Sequence, residues 1–168
     1  VVGISIVGIS QIIPGLTLAR MIKEKYPHLH ITLGGPIFSV NAGQLIGHPE
    51  FFDDFCHSVV TFEGEEPMHR LLSALKAGDS LSTVPNLLHL DGREVVQNKE
   101  RVELRFEELP HPDFDGLPMD KYLSPYPILP VLQSRGCYWG KCTFCTHSFV
   151  YGHRYGKQKT QAMVDELE

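Results

Sequence analysis

The alternation of short apolar runs with segments of helical spacing is the feature that most restricts the fold of this chain. Apolar runs at residues 1–7, 30–33 and 58–61 predict three strands, the first of them buried, and helices are predicted at 14–25, about 41–46 and 65–77. Apolar side chains recur on one face of the first and last of these helices: Leu16, Ala19 and Ile22, then Met68, Leu71, Leu72 and Leu75. A repeated strand–helix order predicts an α/β fold with a doubly wound parallel sheet.

The second half of the chain departs from that pattern. Residues 85–105 predict a β-hairpin that turns at Asp91-Gly92, and a proline-rich connector follows at 110–118. A further apolar run at 128–136 predicts a buried strand, with a helix beginning near Gln158. We therefore divide the chain into a Rossmann-like domain at 1–84, a hairpin and linker at 85–126, and the start of a third unit at 127–168.

Both ends of the sequence lie inside predicted elements. The chain begins with Val1 within an apolar strand, and residues 160–168 predict the opening turns of a helix. One strand and part of one helix do not complete a third domain. We expect the chain to be a segment of a longer polypeptide, in which further strands of the Rossmann-like domain precede residue 1.

Three of the four cysteines, Cys137, Cys142 and Cys145, lie within one short stretch. Three thiolates on one loop favour iron or zinc and leave a fourth coordination position open. One interpretation is a cubane iron–sulfur cluster held at three of its four irons. The other is a Cys3His zinc site completed by His147 or His153.

Charge, hydropathy and cysteine usage bound the partners and the compartment. The 168 residues carry a formal net charge of −5 without a Lys/Arg-rich run, so no nucleic-acid partner is indicated. Gly, Ser or Pro interrupts the longest apolar runs well short of a membrane span. Cys56 lies among phenylalanines and is expected to be a small buried hydrophobe. Cysteines at metal spacing, rather than in a disulfide framework, indicate a reducing compartment and predict a cytoplasmic protein.

The ends of the predicted strands carry residues that suit a ligand. In a doubly wound sheet, ligands bind beyond the carboxyl ends of the strands, which lie here at 5–10, Gly34-Gly35 and 62–65. Glycine lets a ligand approach the backbone, and serine hydroxyls can hydrogen-bond to it. The alternative is that Gly34-Gly35 only turns the chain and that Glu65-Glu66 stabilises a helix N-terminus.

The cysteine stretch resembles the cluster loop of radical S-adenosylmethionine (SAM) enzymes. That loop usually follows the pattern CxxxCxxC with an aromatic residue before the last cysteine, a position that Phe144 occupies here. The first interval is one residue longer in this chain, which follows CxxxxCxxC. The resemblance implies that residues 127–168 are the start of a radical SAM (β/α) barrel.

The N-terminal half resembles the cobalamin-binding domain that some radical SAM enzymes carry. Residues 5–7 followed by Gly34-Gly35 are similar to the later part of the signature DxHxxG…SxL…GG, with Val7 in place of Leu. Residues 59–65 resemble the Gly-Glu-Gly-Glu corner of such proteins, with Phe62 in place of the first Gly. The DxHxxG part does not occur in these residues. We expect it before residue 1, unless cobalamin is bound without that histidine or the domain has lost its cofactor.

The resemblance implies a set of cofactors and of residues that bind them. Cys137, Cys142 and Cys145 would bind a 4Fe-4S cluster, and Phe144 would lie near the adenine of SAM. Cobalamin would bind at the strand ends, beside Ser5, Ser10, Gly34, Gly35 and Gly64.

The resemblance also implies radical chemistry, such as methyl transfer, on an unknown small-molecule or peptide substrate. A flavodoxin or ferredoxin would supply electrons, and the isolated fragment would be inactive. Two other functions stay open: a zinc-stabilised structural or binding module, and a non-catalytic cobalamin sensor.

Overall fold

A five-stranded sheet forms the centre of the protein in a computed structural model that describes residues 1–110 and 112–167. Its strands lie side by side in chain order: β1 Val2–Ser5, β2 Ile31–Gly34, β3 Ser58–Val60, β4 Leu87–Asp91 and β5 Glu94–Gln97. The first three strands are parallel, whereas β4 pairs antiparallel with β3 and with β5. The predicted α/β fold is confirmed. The predicted hairpin also forms, but it extends the sheet instead of standing apart from it.

Helices cover both faces of this sheet, as the prediction of a doubly wound arrangement requires. The four helices of this region are α1 Ile12–Lys25, α2 Pro36–Leu45, α3 Pro49–Phe55 and α4 Glu65–Ala77. Buried residues of the first three helices, including Ala19, Phe38 and Phe52, pack with Leu33 and Val59 of the sheet. On α4, Leu71 and Ala74 pack in a second cluster, together with Val60 and Leu87. Because side chains alternate along a strand, neighbours such as Val59 and Val60 serve opposite layers.

In this region one predicted helix and one predicted strand differ from the structure, and one further helix was not predicted. The helix expected at about 41–46 begins earlier, at Pro36, because proline is well suited to the first turn of a helix. Helix α3 was not predicted at all. Strand β1 is shorter than expected and alternates between half-buried and exposed residues, since β2 is its only neighbour in the described sheet.

The C-terminal region contains a smaller two-stranded sheet. Strand β6, Ser134–Gly136, pairs antiparallel with β7, Tyr155–Lys157, and helices α5, His147–Val150, and α6, Thr160–Leu167, complete the region. The prediction of a buried strand over 128–136 is wrong for residues 128–133. Ile128 is 71% exposed, and Leu129 and Leu132 are also exposed, because no described strand pairs with this stretch. None of the helices in the described ranges combines the length and the apolar character needed to cross a membrane.

Candidate functional site

A cleft of about 300 Å³ lies at the carboxyl ends of β1, β2 and β3. Four of the five residues implied for cobalamin line it together: Ser5, Gly34, Gly35 and Gly64. They come from three separate chain segments, and the parallel pairing of Ser5 with Gly34 and of Gly34 with Val60 brings these segments together. The fifth, Ser10, is exposed in the 3₁₀ turn Ile9–Gln11 and does not line this cleft.

Missing side chains create much of this space. A Cβ atom added to Gly34 would meet nothing closer than the carbonyl oxygen of Val60 at 3.6 Å. Atoms added to Gly3 and Gly64 would likewise meet only side-chain carbons, at 3.7 Å or more. These positions therefore have room for a side chain within the fold, and filling them would narrow the cleft.

Gly35 has a different role from its neighbour. Its φ of 115° lies in a region that favours glycine, and a Cβ atom there would lie 2.2 Å from the carbonyl oxygen of Ile6. The backbone of Ile6 also donates to the carbonyl oxygen of Gly34 at 2.8 Å. Gly35 is thus required because two backbone segments approach each other closely. This requirement is independent of any ligand and agrees with the alternative that this glycine serves to turn the chain.

Thr32 is a polar residue that lines the cleft and was not predicted from the sequence. Its side chain is 2% exposed, and its hydroxyl has no hydrogen-bond partner in the described structure. A buried hydroxyl without a partner costs about 1–3 kcal/mol, which a polar ligand group could recover. The available signal was a threonine in an otherwise apolar run directly before Gly34-Gly35.

The cysteine loop begins directly after β6. The backbone N–H of Gly140 donates to the Sγ atom of Cys137 at 3.5 Å. This bond, with a second from the N–H of Trp139 and a third from the Ser148 side chain, lowers the pKa of the Cys137 thiol. A lowered thiol pKa favours the thiolate, which is the form that binds metal.

The other two cysteines are exposed, and the structure does not bring the three thiols together. No group of three or more His, Cys, Asp or Glu side chains within the described ranges is arranged to hold a metal ion. Cys142 and Cys145 lie on the exposed part of the loop, and Phe144 between them is 88% exposed. The donor set nevertheless fits an iron–sulfur cluster, because thiolates are its usual ligands.

The histidines of the zinc alternative do not complete a site with these cysteines. The Nε2 atom of His147 lies 3.2 Å from the carbonyl oxygen of Gly136 and donates to it, and its ring packs edge-on against Tyr151. His153 is exposed and has a φ of 58°.

A buried carboxylate connects the two halves of the molecule. Glu63, on the corner between β3 and α4, forms ion pairs with Arg135 and Arg154, which flank the cysteine loop. In the sequence this corner is visible only as a motif, and no role was predicted for either arginine. The signal present in the sequence was an acidic residue directly after an apolar strand, between Phe62 and Gly64.

The fold and the cleft therefore define an α/β domain with a cleft at the carboxyl ends of its parallel strands, joined to a region that carries a cysteine loop. No protein-family model matches the chain. Among curated proteins, the uncharacterised methyltransferase PH0819 of Pyrococcus horikoshii is 29% identical over 153 residues, which cover 90% of this chain and 32% of that protein. The hopanoid C-3 methylase of Methylococcus capsulatus is 27% identical over 154 residues, covering 90% of this chain and 28% of that protein. The chain thus spans about a third of the length of these relatives.

Solved structures give the same result. The cobalamin-dependent SAM radical enzyme OxsB is 25% identical and has a TM-score of 0.70, with 99% of this chain and 22% of that chain covered. The radical SAM methyltransferase TsrM from Kitasatospora setae, with cobalamin and a [4Fe-4S] cluster bound, is 21% identical with a TM-score of 0.63. That match covers 98% of this chain and 34% of TsrM. The similarity to radical SAM enzymes with a cobalamin-binding domain, predicted from the sequence, is confirmed.

Proposed function

We propose that this chain is part of a cobalamin-dependent radical SAM enzyme that transfers a methyl group to an unknown substrate. The observation that carries the proposal is a glycine-lined cleft, with an unpartnered buried hydroxyl on Thr32, in the same chain as a three-cysteine loop. The similarity to methyltransferases and to cobalamin-dependent radical SAM enzymes supports it. The complete protein would carry the activity.

The residues of the chain would hold three cofactors. Cys137, Cys142 and Cys145 would bind the 4Fe-4S cluster as thiolates, and the lowered pKa of Cys137 favours that state. Phe144 would lie against SAM, while the cleft would bind cobalamin. When bound, this set supplies one-electron chemistry and a transferable methyl group, and the protein contributes binding and orientation.

The two cofactor sites make different demands on the chain. The cysteine loop must bring three exposed side chains to one cluster, and it can do so because Cys142 and Cys145 are exposed. In the cleft, Ser5 and Thr32 offer hydroxyl groups, and Gly34 and Gly64 offer open backbone. Such an arrangement fits a large ligand with many polar groups better than a small apolar one.

Several properties of the complete protein belong to the same proposal. The substrate is a small molecule or a peptide, and a flavodoxin or ferredoxin donates electrons to the cluster. A reducing, cytoplasmic location would keep the three thiols available. The relatives favour neither a zinc-stabilised module nor a cobalamin sensor. The hydrogen bond between His147 and the carbonyl oxygen of Gly136 also does not favour the zinc site.

Metal analysis of the full-length protein after anaerobic purification and reconstitution tests the cluster. We expect about four irons per chain, no zinc, and an electron paramagnetic resonance spectrum of the reduced cluster that changes when SAM is added. Replacing Cys137, Cys142 or Cys145 by Ala should abolish SAM cleavage, whereas Cys56→Ala should retain it, because Cys56 is buried in the core of the sheet domain. Stoichiometric zinc without iron would refute the radical SAM assignment.

Corrinoid titration of the same protein tests the cleft separately. We expect saturable binding at micromolar concentrations, weakened by Thr32→Val, which keeps the shape of the side chain but removes the unpartnered hydroxyl. A protein that assembles the cluster but does not bind corrinoid would retain the radical SAM assignment and lose cobalamin.

A further inference from the structure

The cysteine loop is closed at its base by one short ladder. Arg135 pairs with Gly156, and Gly136 pairs with Tyr155, so β6 and β7 form a neck from which residues 137–154 project. An arginine lies at each side of this neck: Arg135 within β6, and Arg154 directly before β7. The orientation of the neck therefore sets the orientation of all three cysteines.

Both arginines bind the same carboxylate. The Oε2 atom of Glu63 accepts from Nη2 of Arg154 at 2.7 Å, and its Oε1 atom lies 3.4 Å from Nη1 of Arg135. The backbone N–H of Leu104 donates to Oε2 at 3.2 Å. The side chain of Glu63 is only 5% exposed, so these contacts replace most of its hydration. We refer to Glu63, Arg135 and Arg154 as the clamp.

The clamp also reaches the cofactor cleft. Glu63 lies between Phe62 and Gly64, and both of these neighbours line the cleft. Asn86 also stabilises this corner, because its side-chain amide donates to the carbonyl oxygen of Glu63 at 3.3 Å. A change in the position of Glu63 would therefore displace residues at the edge of the cleft and at the neck of the cysteine loop.

We propose that Glu63 is a positioning residue that fixes the cysteine loop relative to the cleft at the ends of β1, β2 and β3. Its carboxylate is the shared partner of two guanidinium groups that belong to opposite sides of the loop neck. Each arginine also has a second, more exposed carboxylate partner: Glu65 lies 2.7 Å from Arg135, and Glu103 lies 3.1 Å from Arg154. Removing the charge of Glu63 therefore leaves each arginine with a separate, more exposed partner, and the two sides of the neck no longer share one buried carboxylate. The assignment of a corrinoid to the cleft and of a cluster to the cysteine loop rests on the proposed function, whereas the clamp itself can be tested without any cofactor.

Hydrogen–deuterium exchange of the full-length apoprotein tests the clamp directly. Glu63→Gln keeps the size of the side chain and should increase exchange in residues 134–157 by about tenfold or more, equivalent to about 1.4 kcal/mol of local stability. Exchange in β1, β2 and helix α1 should stay at the wild-type rate. Glu66→Gln is the matched control, because Glu66 lies in the first turn of α4, directly after the corner, and pairs with Arg70 instead of an arginine of the clamp.

A double-mutant cycle separates positioning from a general loss of stability. Arg154→Gln alone should increase exchange in the same segment, because it removes contacts with Glu63, with Glu103 and with the carbonyl oxygen of Leu104. Adding it to Glu63→Gln should have clearly less than the additive effect, because either change removes the ion pair that the two residues share. Additive effects, an unchanged loop, or an equal increase across the whole sheet would each overturn the proposal.

The loaded protein provides a second measurement. With corrinoid in the cob(II)alamin state and the cluster reduced, pulsed electron paramagnetic resonance reports the distance between the two centres. We expect Glu63→Gln to broaden this distance distribution while both cofactors stay bound, and Glu66→Gln to leave it unchanged. A wild-type protein that binds neither cofactor would refute the proposed function but not the clamp, which the exchange data decide alone.

Discussion

Gly34 and Gly35 are neighbours in the sequence, and the structure predicts opposite effects when each is replaced by alanine. At Gly35 the backbone has φ 115° and ψ 168°, a combination that is essentially restricted to glycine and costs another residue about 1–3 kcal/mol. The added Cβ atom would also lie 2.2 Å from the carbonyl oxygen of Ile6 and 2.8 Å from its carbon. Forcing such an atom into packed structure costs roughly 1–3 kcal/mol more.

These two contributions add to about 2–6 kcal/mol for Gly35→Ala. That is a large fraction of the roughly 5–15 kcal/mol by which a domain is stable. For Gly34→Ala, the nearest atom to the new methyl group is 3.6 Å away, an ordinary contact. Alanine in place of a strand glycine then stabilises by about 0.5–1 kcal/mol, because it loses less conformational freedom on folding.

Gly34→Ala should weaken corrinoid binding, although it should slightly stabilise the protein. The methyl group of Gly34→Ala occupies the cleft, and overpacking of about 1–3 kcal/mol corresponds to a loss of affinity of about 5-fold to 150-fold. Urea denaturation followed by circular dichroism measures the stability, and corrinoid titration of the full-length protein measures the affinity. Gly43→Ala is the control, because a Cβ atom at that exposed helical position meets no atom within 4 Å.

Two results would refute this reasoning. If Gly35→Ala retained the wild-type denaturation midpoint, the close approach to Ile6 would not be the reason for the glycine. If Gly34→Ala destabilised the protein as strongly as Gly35→Ala, both glycines would only form the turn, and the cleft would have no special relation to Gly34.

Two further predictions concern stability. Burial, followed by the charges of His57 and the N-terminus, lowers the pKa of His30 from 6.5 to about 4. Between pH 6.5 and pH 4, His30 is therefore protonated in the unfolded chain but not in the folded chain. The free energy of unfolding should therefore be highest above pH 6.5 and fall between pH 6.5 and pH 4, a slope that His30→Gln should reduce; a pH-independent stability in this range would contradict it. Lys23→Met should destabilise by about 1–3 kcal/mol in urea denaturation, because the Lys23 ammonium donates to the carbonyl oxygens of Phe52, Asp53 and Cys56 at the end of α3. Arg20→Met, which removes only an exposed pair with Glu24 on the same helix, is the control and should change stability by less than about 1 kcal/mol.

Helix α4 shows what the sequence alone can predict. Its bounds, Glu65–Ala77, agree with the prediction residue for residue, because several local signals coincide there. Two acidic residues begin the helix, apolar side chains recur at helical spacing, and Gly78 follows its last residue. The strands of the parallel sheet were also found within about a residue or two, since each is a short run rich in β-branched residues or leucine.

The stretch at residues 128–133 shows where that approach fails. An apolar run favours a buried strand, but a strand forms only where a neighbour completes its hydrogen bonds, and none of the described strands lies beside it. Helix α3 was missed for a different reason, because a local signal was present but was not used. Its phenylalanines, Phe51, Phe52 and Phe55, were noted only as the surroundings of Cys56, although their spacing fits one face of a helix.

The candidate site follows the same division. Ser5, Gly34 and Gly64 could be placed at one edge of the sheet, because parallel topology brings strand ends together. The clamp could not, since Glu63 lies 72 residues from Arg135 and 91 residues from Arg154. Its formation depends on how the cysteine region packs against the sheet, which no local pattern encodes.

Phe62 connects these regions and leads to a final prediction. It occupies the position where the motif that this corner resembles has glycine, and its φ of 61° explains why glycine suits that position. The centre of the phenyl ring lies 3.8 Å from the guanidinium carbon of Arg101 and 5.7 Å from the centre of the Phe149 ring in α5, which follows the last of the three cysteines. Phe62→Gly should therefore relieve about 1 kcal/mol or more of backbone strain while losing stacking contacts of similar size, so that the midpoint of global unfolding changes little. Exchange in α5 should nevertheless increase, because its contact with the corner is lost, and Phe62→Leu should give an intermediate result. A large fall in global stability, or unchanged exchange in α5, would mean that this ring does not link the corner to the cysteine region.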